Sequence, residues 1–473
     1  MNAEQLLGEI ADYCRLAGMA ESTFGRRAVN DGKLVARLRT GRRVTTDTVD
    51  RVRNFITSHH DIASRHPLRL RAPRSANALA PTVPPSAAAP ATNAAGTDGG
   101  SGTDFRFYDN RQKYLLFVNT CSEKAVVAQR VSMELANIHP RPPALRLFDA
   151  GVGDGTVLAR VMRAMHQRHA TMPFYIVGKE VSLEDVRLAL DKMADRFYEH
   201  PSTVLVMTNL YYSEAPWLAP KSVTAATSLV WKEVALTGST SAEFEEQITA
   251  QQAFLAEHWR AKINAASGNP VYEKPVVLVF YREDHRFLLD QVIPKRGFTR
   301  ADYDMVIASQ PYRARASAEF KAKKVIAPLA RSLAPGGRMI GIHSHGGDPG
   351  LEIVQRVWPG ENPFQTDRHA LLKATRVELG GDGRDLNFNA YAEHRSLFRY
   401  DMHTLPDEIS NAIGTSTLMA AWNAAVYVAQ IEDQRLEAVM GDRAYLDATQ
   451  EVLRQHGGLW FVDESYVISR KRD

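Results

Sequence analysis

Cysteine is nearly absent: Cys14 and Cys121 are the two in 473 residues. They are too few for a disulfide framework or a cysteine-rich zinc cluster, and no metal site is expected. Long apolar runs are missing as well, none approaching the ~20 residues that cross a bilayer. The opening residues Met1-Asn2-Ala3-Glu4 lack a charged-then-apolar signal pattern. A cytoplasmic, reducing setting without membrane contact is the expectation. No Gly-Lys-Ser/Thr follows the glycine-rich stretch near residue 151, which excludes a P-loop. There is no internal repeat.

What is present is a large apolar complement, 44% of the chain, enough for a sizeable core in a protein too long for one compact domain. From about Leu68 to Thr103 the composition shifts to Ala, Pro, Ser, Thr and Gly. Such a segment cannot bury enough surface to offset the entropy of ordering, so it reads as a disordered linker. Three regions follow: a small all-α domain over 1–62, a linker over 63–104, and an α/β body over 105–473.

The body is announced by Leu145-Arg146-Leu147-Phe148-Asp149-Ala150-Gly151-Val152-Gly153-Asp154-Gly155-Thr156. Period-two apolarity up to Phe148 predicts a strand, and the spacing of Val157, Leu158, Val161 and Met162 predicts a helix. Between them the backbone must turn sharply and admit a ligand, which residues without side chains allow. The third glycine falls one place early for a dinucleotide fingerprint.

The pattern Asp149, Gly151, Gly153, Gly155 resembles motif I of the class I S-adenosylmethionine (SAM) methyltransferases. The resemblance implies a seven-stranded, mostly parallel, doubly wound sheet that binds SAM, a carboxylate suiting the cationic methionyl end. It implies further roles in order along the chain. Glu180, closing the strand-like Phe174 to Lys179, would accept the ribose hydroxyls, and Asn209, after Val204 to Met207, would contact adenine. Tyr108 to Lys124 resembles the leading helix of the family, with Tyr114 over the cofactor.

Strand four, Tyr303 to Ala308, leads into Ser309-Gln310-Pro311-Tyr312. This is similar to the Asn/Asp/Ser-Pro-Pro-aromatic loop of amino-group methyltransferases, in which the first residue and a proline carbonyl hold the amine and the aromatic stacks on it. Gln310 departs from that pattern. Leu333-Ala334-Pro335-Gly336-Gly337 then opens strand five, Met339 to Ile342, in the manner of the small-molecule branch. Strand five ends in His343-Ser344-His345, imidazoles at the sheet edge where such folds bind ligands and where a base could take a proton. Ser309, Tyr312, His343 and His345 are the candidate catalytic residues, with Ser309 also facing the cofactor.

Residues 213–298 read as an inserted α+β segment between strands three and four. Strand-like Thr227 to Leu236, helix-like Ser241 to Ile263 and a hairpin of Val276 to Tyr281 with Phe287 to Ile293 lie within it. Pro349 to Phe364 suggests a lid. An apolar helix near Leu418 to Ile431 precedes Leu459 to Ser469, which with Phe398 to Thr404 makes the closing antiparallel pair.

The head carries ten Lys/Arg against seven Asp/Glu in residues 1–60, a balance that suits nucleic acid. Ile10-Ala11 through Gly18 to Arg26 resembles the helix-turn-helix of bacterial repressors, with Ser22 or Thr23 opening the second helix. The resemblance implies DNA contacts from Ser22, Thr23, Arg26, Arg27, Lys33 and Arg37, with Arg39, Arg42 and Arg43 beside them, and a homodimer on two half-sites. A basic docking helix set gives the same charge.

Three functions are compatible. The first is methyl transfer to a small-molecule acceptor, tethered to a DNA-binding or docking head. The second is amino methylation of a nucleic-acid base, which would have to be flipped out of its stack. The third is a non-catalytic regulator that senses SAM.

Overall fold

The computed structural model describes residues 3–16, 21–29, 31–39, 46–58, 111–264, 270–403 and 413–472. The linker expected over 63–104 lies outside them, as do Arg42 and Arg43. The chain divides into two compact units, 1–97 and 98–473.

In the first unit the described residues form four helices, α1 (Ala3–Leu16), α2 (Glu21–Val29), α3 (Leu34–Arg39) and α4 (Thr46–Ser58). Leu6, Ile10, Phe24, Leu34 and Val52 make their common core. The Phe24 ring lies 5.5 Å from those of Tyr13 and Phe55. Because α2 begins at Glu21, Ser22 and Thr23 sit inside its first turn rather than ahead of it. The break at Gly32 is followed at once by the short α3, which periodicity over six residues is too brief to announce.

The second unit is built on one large mixed sheet. Its strands are β1 (Leu145–Asp149), β2 (Phe174–Lys179), β3 (Thr203–Thr208), β4 (Val230–Leu236), β7 (Val276–Arg282), β8 (Tyr303–Ser309), β9 (Leu333–Ser344), β10 (Leu386–Asn389), β11 (Leu397–Asp401) and β12 (Trp460–Arg470). A separate small hairpin pairs β5 (Ala261–Ile263) with β6 (Pro270–Tyr272). The order in the large sheet is β10-β12-β9-β8-β1-β2-β3-β7-β4, with β11 also on β12. The five central strands β9, β8, β1, β2 and β3 run parallel, and β12 runs against β9. Leu147 and Ile176 pack on one face while Phe148 and Val177 pack on the other. Burial on both faces is why these strands are apolar throughout.

Seven strands were expected and ten are found. The insertion supplies two of the extra ones, since β7 lies antiparallel to β3 and β4 lies parallel to β7. A third is β10, four residues paired with the end of β12. The expected second arm of a hairpin at 287–293 is instead a 3₁₀ turn, Glu283–His285, and a short helix, Arg286–Leu289. Phe287 is 99% exposed and Leu289 fully buried, a one-sided burial that a helical turn delivers.

The leading helix is also two helices. α5 (Arg111–Thr120) stops at Cys121, and α6 (Glu123–Glu134) starts after Ser122. Cys121 bridges to Met402 beside β11, and Ser122 N–H donates to the Asp401 carbonyl at 2.8 Å. The segment expected as a lid forms helix Pro349–Val357, capped by Asp348. Its Ile353 and Val354 are fully buried with Trp422 and Leu453, so it is a packed wall. The apolar helix is found at Thr415–Val428. Among the described residues no helix is long and apolar enough to cross a membrane.

Candidate functional site

The C-terminal ends of β1, β2, β8 and β9 gather most of the residues singled out from the sequence. Asp149 ends β1, and the glycine loop leads into helix α7 (Thr156–Arg168). Gly155 has φ +80°, and a Cβ there would stand 2.6 Å from Ala189 Cα on helix α8 (Leu183–Asp191). Gly153 has φ +54°, with Tyr114 Oη 3.1 Å from where its Cβ would be. The first glycine constraint lets two helices meet; the second lets the Tyr114 hydroxyl lie close against the loop.

The loop is braced from two sides. Glu180 Oε2 accepts from Gly153 N–H at 2.9 Å, while its Oε1 accepts from Val181 and Ser182 N–H at 2.8 and 2.9 Å. Three of roughly four lone-pair positions on this carboxylate are occupied, leaving one on Oε2. On the other side Asp154 N–H donates to Tyr114 Oη at 3.2 Å, and Lys192 Nζ donates to the Asp154 carbonyl at 2.6 Å.

Asp149 is 2% exposed, and Gly151 N–H donates to its Oδ1 at 3.2 Å. Burial pushes its carboxyl up to about 7; the Gly151 bond counters this and nearby Glu180 adds to it. Burial also raises Glu180, with Asp185 acting in the same sense. A cation brought beside two such buried acids would favour their charged forms. Lys124, which the sequence reading passed over, stands 5.7 Å over the Tyr114 ring and 3.3 Å from Glu123. Burial pulls Lys124 down, yet Glu123 and Tyr114 outweigh it and hold the ammonium above its usual range.

Asn209 is committed elsewhere. Its Oδ1 accepts from Val276 N–H at 2.8 Å and its Nδ2 donates to the Lys274 carbonyl at 2.9 Å. The side chain thus ties the end of β3 to the insertion, which uses one N–H and one lone pair of its amide. Tyr212 is the unforeseen residue here. Its hydroxyl donates to the Pro311 carbonyl at 2.8 Å, and Lys179 Nζ lies 4.6 Å over its ring.

Beyond β8 a buried polar chain runs across three elements. Tyr466 and Tyr312 hydroxyls are 3.3 Å apart, Tyr312 Oη lies 2.6 Å from His343 Nδ1, and His343 Nε2 lies 2.6 Å from Glu464 Oε1. Arg368 donates to the same carboxylate through its backbone N–H at 2.8 Å and its guanidinium at 2.9 Å. Burial opposes ionisation of Glu464, but His343 and Arg368 prevail and draw it down to about 2. Burial pushes His343 below its ordinary value, with Glu464 pulling the other way. Burial also brings Lys321, whose Nζ lies 5.0 Å over the Tyr312 ring, to about 8.

The two candidate histidines therefore separate. Both ring nitrogens of His343 are engaged, and the residue is 4% exposed. The His345 side chain is 37% exposed, with Nδ1 3.7 Å from Glu464 Oε2. Of the pair, His345 is the one that reaches solvent. Glu464 joins them, and its signal in the sequence was an acid pair, Asp463-Glu464, in an otherwise apolar strand. Charged residues are almost never fully buried without a partner.

No protein-family model and no curated protein matches the chain. Solved structures that align with it include geranyl diphosphate methyltransferase in complex with GPP and sinefungin, at 11% identity over 73% of this chain and 77% of that one, TM-score 0.28. The [4+2]-cyclase SpnF aligns at 13% identity over 74% of this chain and 80% of that one, TM-score 0.27. The cyclopropane synthase MmaA2 from Mycobacterium tuberculosis aligns at 11% over 72% and 83%, TM-score 0.27. At such identities and TM-scores these likenesses carry no argument about what this chain does.

In the first unit, Thr23, Arg26, Arg27, Lys33 and Arg37 are exposed. The side chain of Ser22 lies outside the described residues. Arg37 pairs with Asp31, and Arg39 with Glu21 at 2.6 Å, so part of the basic surface is internally balanced.

Proposed function

We propose that the 105–473 region is a SAM-dependent methyltransferase acting on a small-molecule acceptor. The observation that carries this is the braced glycine loop between two buried acids, Asp149 and Glu180, at the edge of a parallel sheet. The residues fit the cofactor. Asp149 keeps a carboxylate oxygen for an ammonium, Gly153 keeps the loop concave, and Glu180 keeps one lone-pair position for a hydroxyl. When bound, SAM supplies an electrophilic methyl group on a sulfonium. Asp149 then orients the cationic tail, Tyr114 and Lys192 hold the loop against it, and His345 removes the proton an acceptor releases.

One observation favours a small acceptor over a flipped base. The Tyr312 side chain is 7% exposed, its hydroxyl bound to His343 and its ring covered by Lys321. An aromatic so enclosed offers no face for stacking, and the Pro311 carbonyl beside it already accepts from Tyr212.

Titration calorimetry with SAM tests the reading and also its electrostatics. With the Asp149 carboxyl near 7, lowering the pH neutralises the group a cation needs. The dissociation constant should therefore rise below pH 7, by up to about tenfold per unit. A constant that stays flat from pH 7.5 to 5.5 would mean Asp149 does not face the cofactor. Formation of S-adenosylhomocysteine on adding a metabolite extract tests turnover, and SAM binding without turnover would point to a sensor.

We further infer that the first unit is a DNA-binding or docking head, an inference resting on exposed Arg26, Arg27 and Lys33. Deleting residues 1–97 should leave SAM affinity within about twofold, because each unit has its own core. Loss of affinity on deletion would contradict that independence, and a gel-shift series on the isolated head reads DNA binding.

A further inference from the structure

Lys179 is the last residue of β2, next to Glu180. It is 9% exposed, and its Nζ lies 4.6 Å over the Tyr212 ring. Among the described residues no hydrogen bond or ion pair reaches that ammonium. Neighbouring lysines differ. Lys124 stands 3.3 Å from Glu123, and Lys321 Nζ donates to the Ala314 carbonyl at 2.8 Å. The carboxylate of Glu180 is turned to the N–H groups of Gly153, Val181 and Ser182. Burial lowers Lys179 and the Glu180 charge only partly restores it. A ring face attracts a cation, yet it leaves three ammonium donors without an oxygen. Buried lysines are almost never left so, because desolvating an unpaired ammonium is costly.

The surroundings of Lys179 belong to the ligand edge of the sheet. Tyr212 follows β3, and its hydroxyl donates to the Pro311 carbonyl, which follows β8. In the sheet β2 and β1 lie between those strands, so this bond spans their C-terminal ends. Burial raises the Tyr212 hydroxyl, and Glu180 and Asp149 both add to the rise, which puts the ring near both acids. The loop after β8 also borders the glycine loop, where a Cβ on Gly151 would stand 3.9 Å from the Ser309 carbonyl. Lys179 and Tyr212 are therefore side by side with the braced loop.

We propose that Lys179 Nζ anchors an anionic group, a carboxylate or a phosphate, on the methyl acceptor. The proposal rests on the methyltransferase reading above and narrows it to acidic small molecules. A neutral acceptor would leave the ammonium unpaired and a cationic one would be repelled, so one side chain selects by charge.

The test uses the full chain and the variant Lys179→Met, which keeps length and removes the charge. Without ligand, Lys179→Met should melt no lower than wild type, since it deletes a buried charge that the chain does not pair. A lower melting point would show that Lys179 already has its partner within the protein and would overturn the proposal. SAM carrying a tritiated methyl, incubated with wild-type protein and a small-molecule extract, yields a labelled product identified by mass spectrometry. That product should carry a carboxylate or a phosphate. The acceptor is then titrated by calorimetry into protein held with S-adenosylhomocysteine, where no turnover occurs. Binding should weaken roughly thirtyfold in Lys179→Met, the size of a lost charge-assisted hydrogen bond, with SAM affinity within about twofold of wild type. A neutral or cationic acceptor, equal acceptor binding by the variant, a large loss of SAM affinity, or no labelled product from protein that binds SAM would each overturn it. Failure of the wild-type chain to bind SAM would show up separately in the calorimeter and would remove the function reading first.

Discussion

Gly153→Arg should take SAM binding below detection while the protein remains folded. The residue sits at φ +54° with the Tyr114 hydroxyl 3.1 Å from the position of a Cβ. Forcing a non-glycine residue into that conformation costs about 1 kcal/mol, which the large core of the second unit can absorb. The long side chain would then occupy the concavity between Asp149 and Glu180 and place a guanidinium where a cationic ligand belongs. Gly381→Arg is the matched control, because nothing lies within 4 Å of a Cβ there. Calorimetry with SAM reads the pair, and wild-type affinity in Gly153→Arg would mean the cofactor lies elsewhere.

Glu180→Ala should damage both the loop and the binding. Its carboxylate holds the N–H groups of Gly153, Val181 and Ser182. A buried donor left without a partner costs about 1–3 kcal/mol. With water reaching some of the three, a loss of roughly 3 kcal/mol in stability is expected, together with at least about a hundredfold loss of SAM affinity. Thermal melting measures the first and calorimetry the second. Hydrogen exchange at the Gly153 amide should also quicken, since the brace on that N–H is gone. A variant that melts and binds like the wild-type protein would leave Glu180 without the role given to it.

The acids that matter were legible at different depths. Asp149 and Glu180 each close an apolar strand, and a strand's end is visible from its own residues. Glu464 was not, because its partners His343 and Arg368 lie 121 and 96 residues away. Asn209 looked free at the end of β3 until β7, some 67 residues on, was found bonded to it. Tyr312 read as a stacking aromatic, yet its hydroxyl meets Tyr466 across 154 residues. In each case the side chain's chemistry could be named in advance and its availability could not.

The same division runs through the fold. Apolar runs buried on both faces, the sharp glycine turn and the helix after it all follow from the spacing of near neighbours and from backbone sterics, so the residues of β1, β2, β3, β8 and their order along the chain were determined by the amino-acid sequence. Which strands became neighbours was not. The insertion placed β7 and β4 at the edge of the main sheet, and the stretch Glu283 to Leu289 around Phe287 became a helical turn, because pairing partners and burial depend on segments distant in the chain. Periodicity records what a residue requires locally; hydrogen-bond completion and access to solvent are settled by whatever the fold brings alongside it.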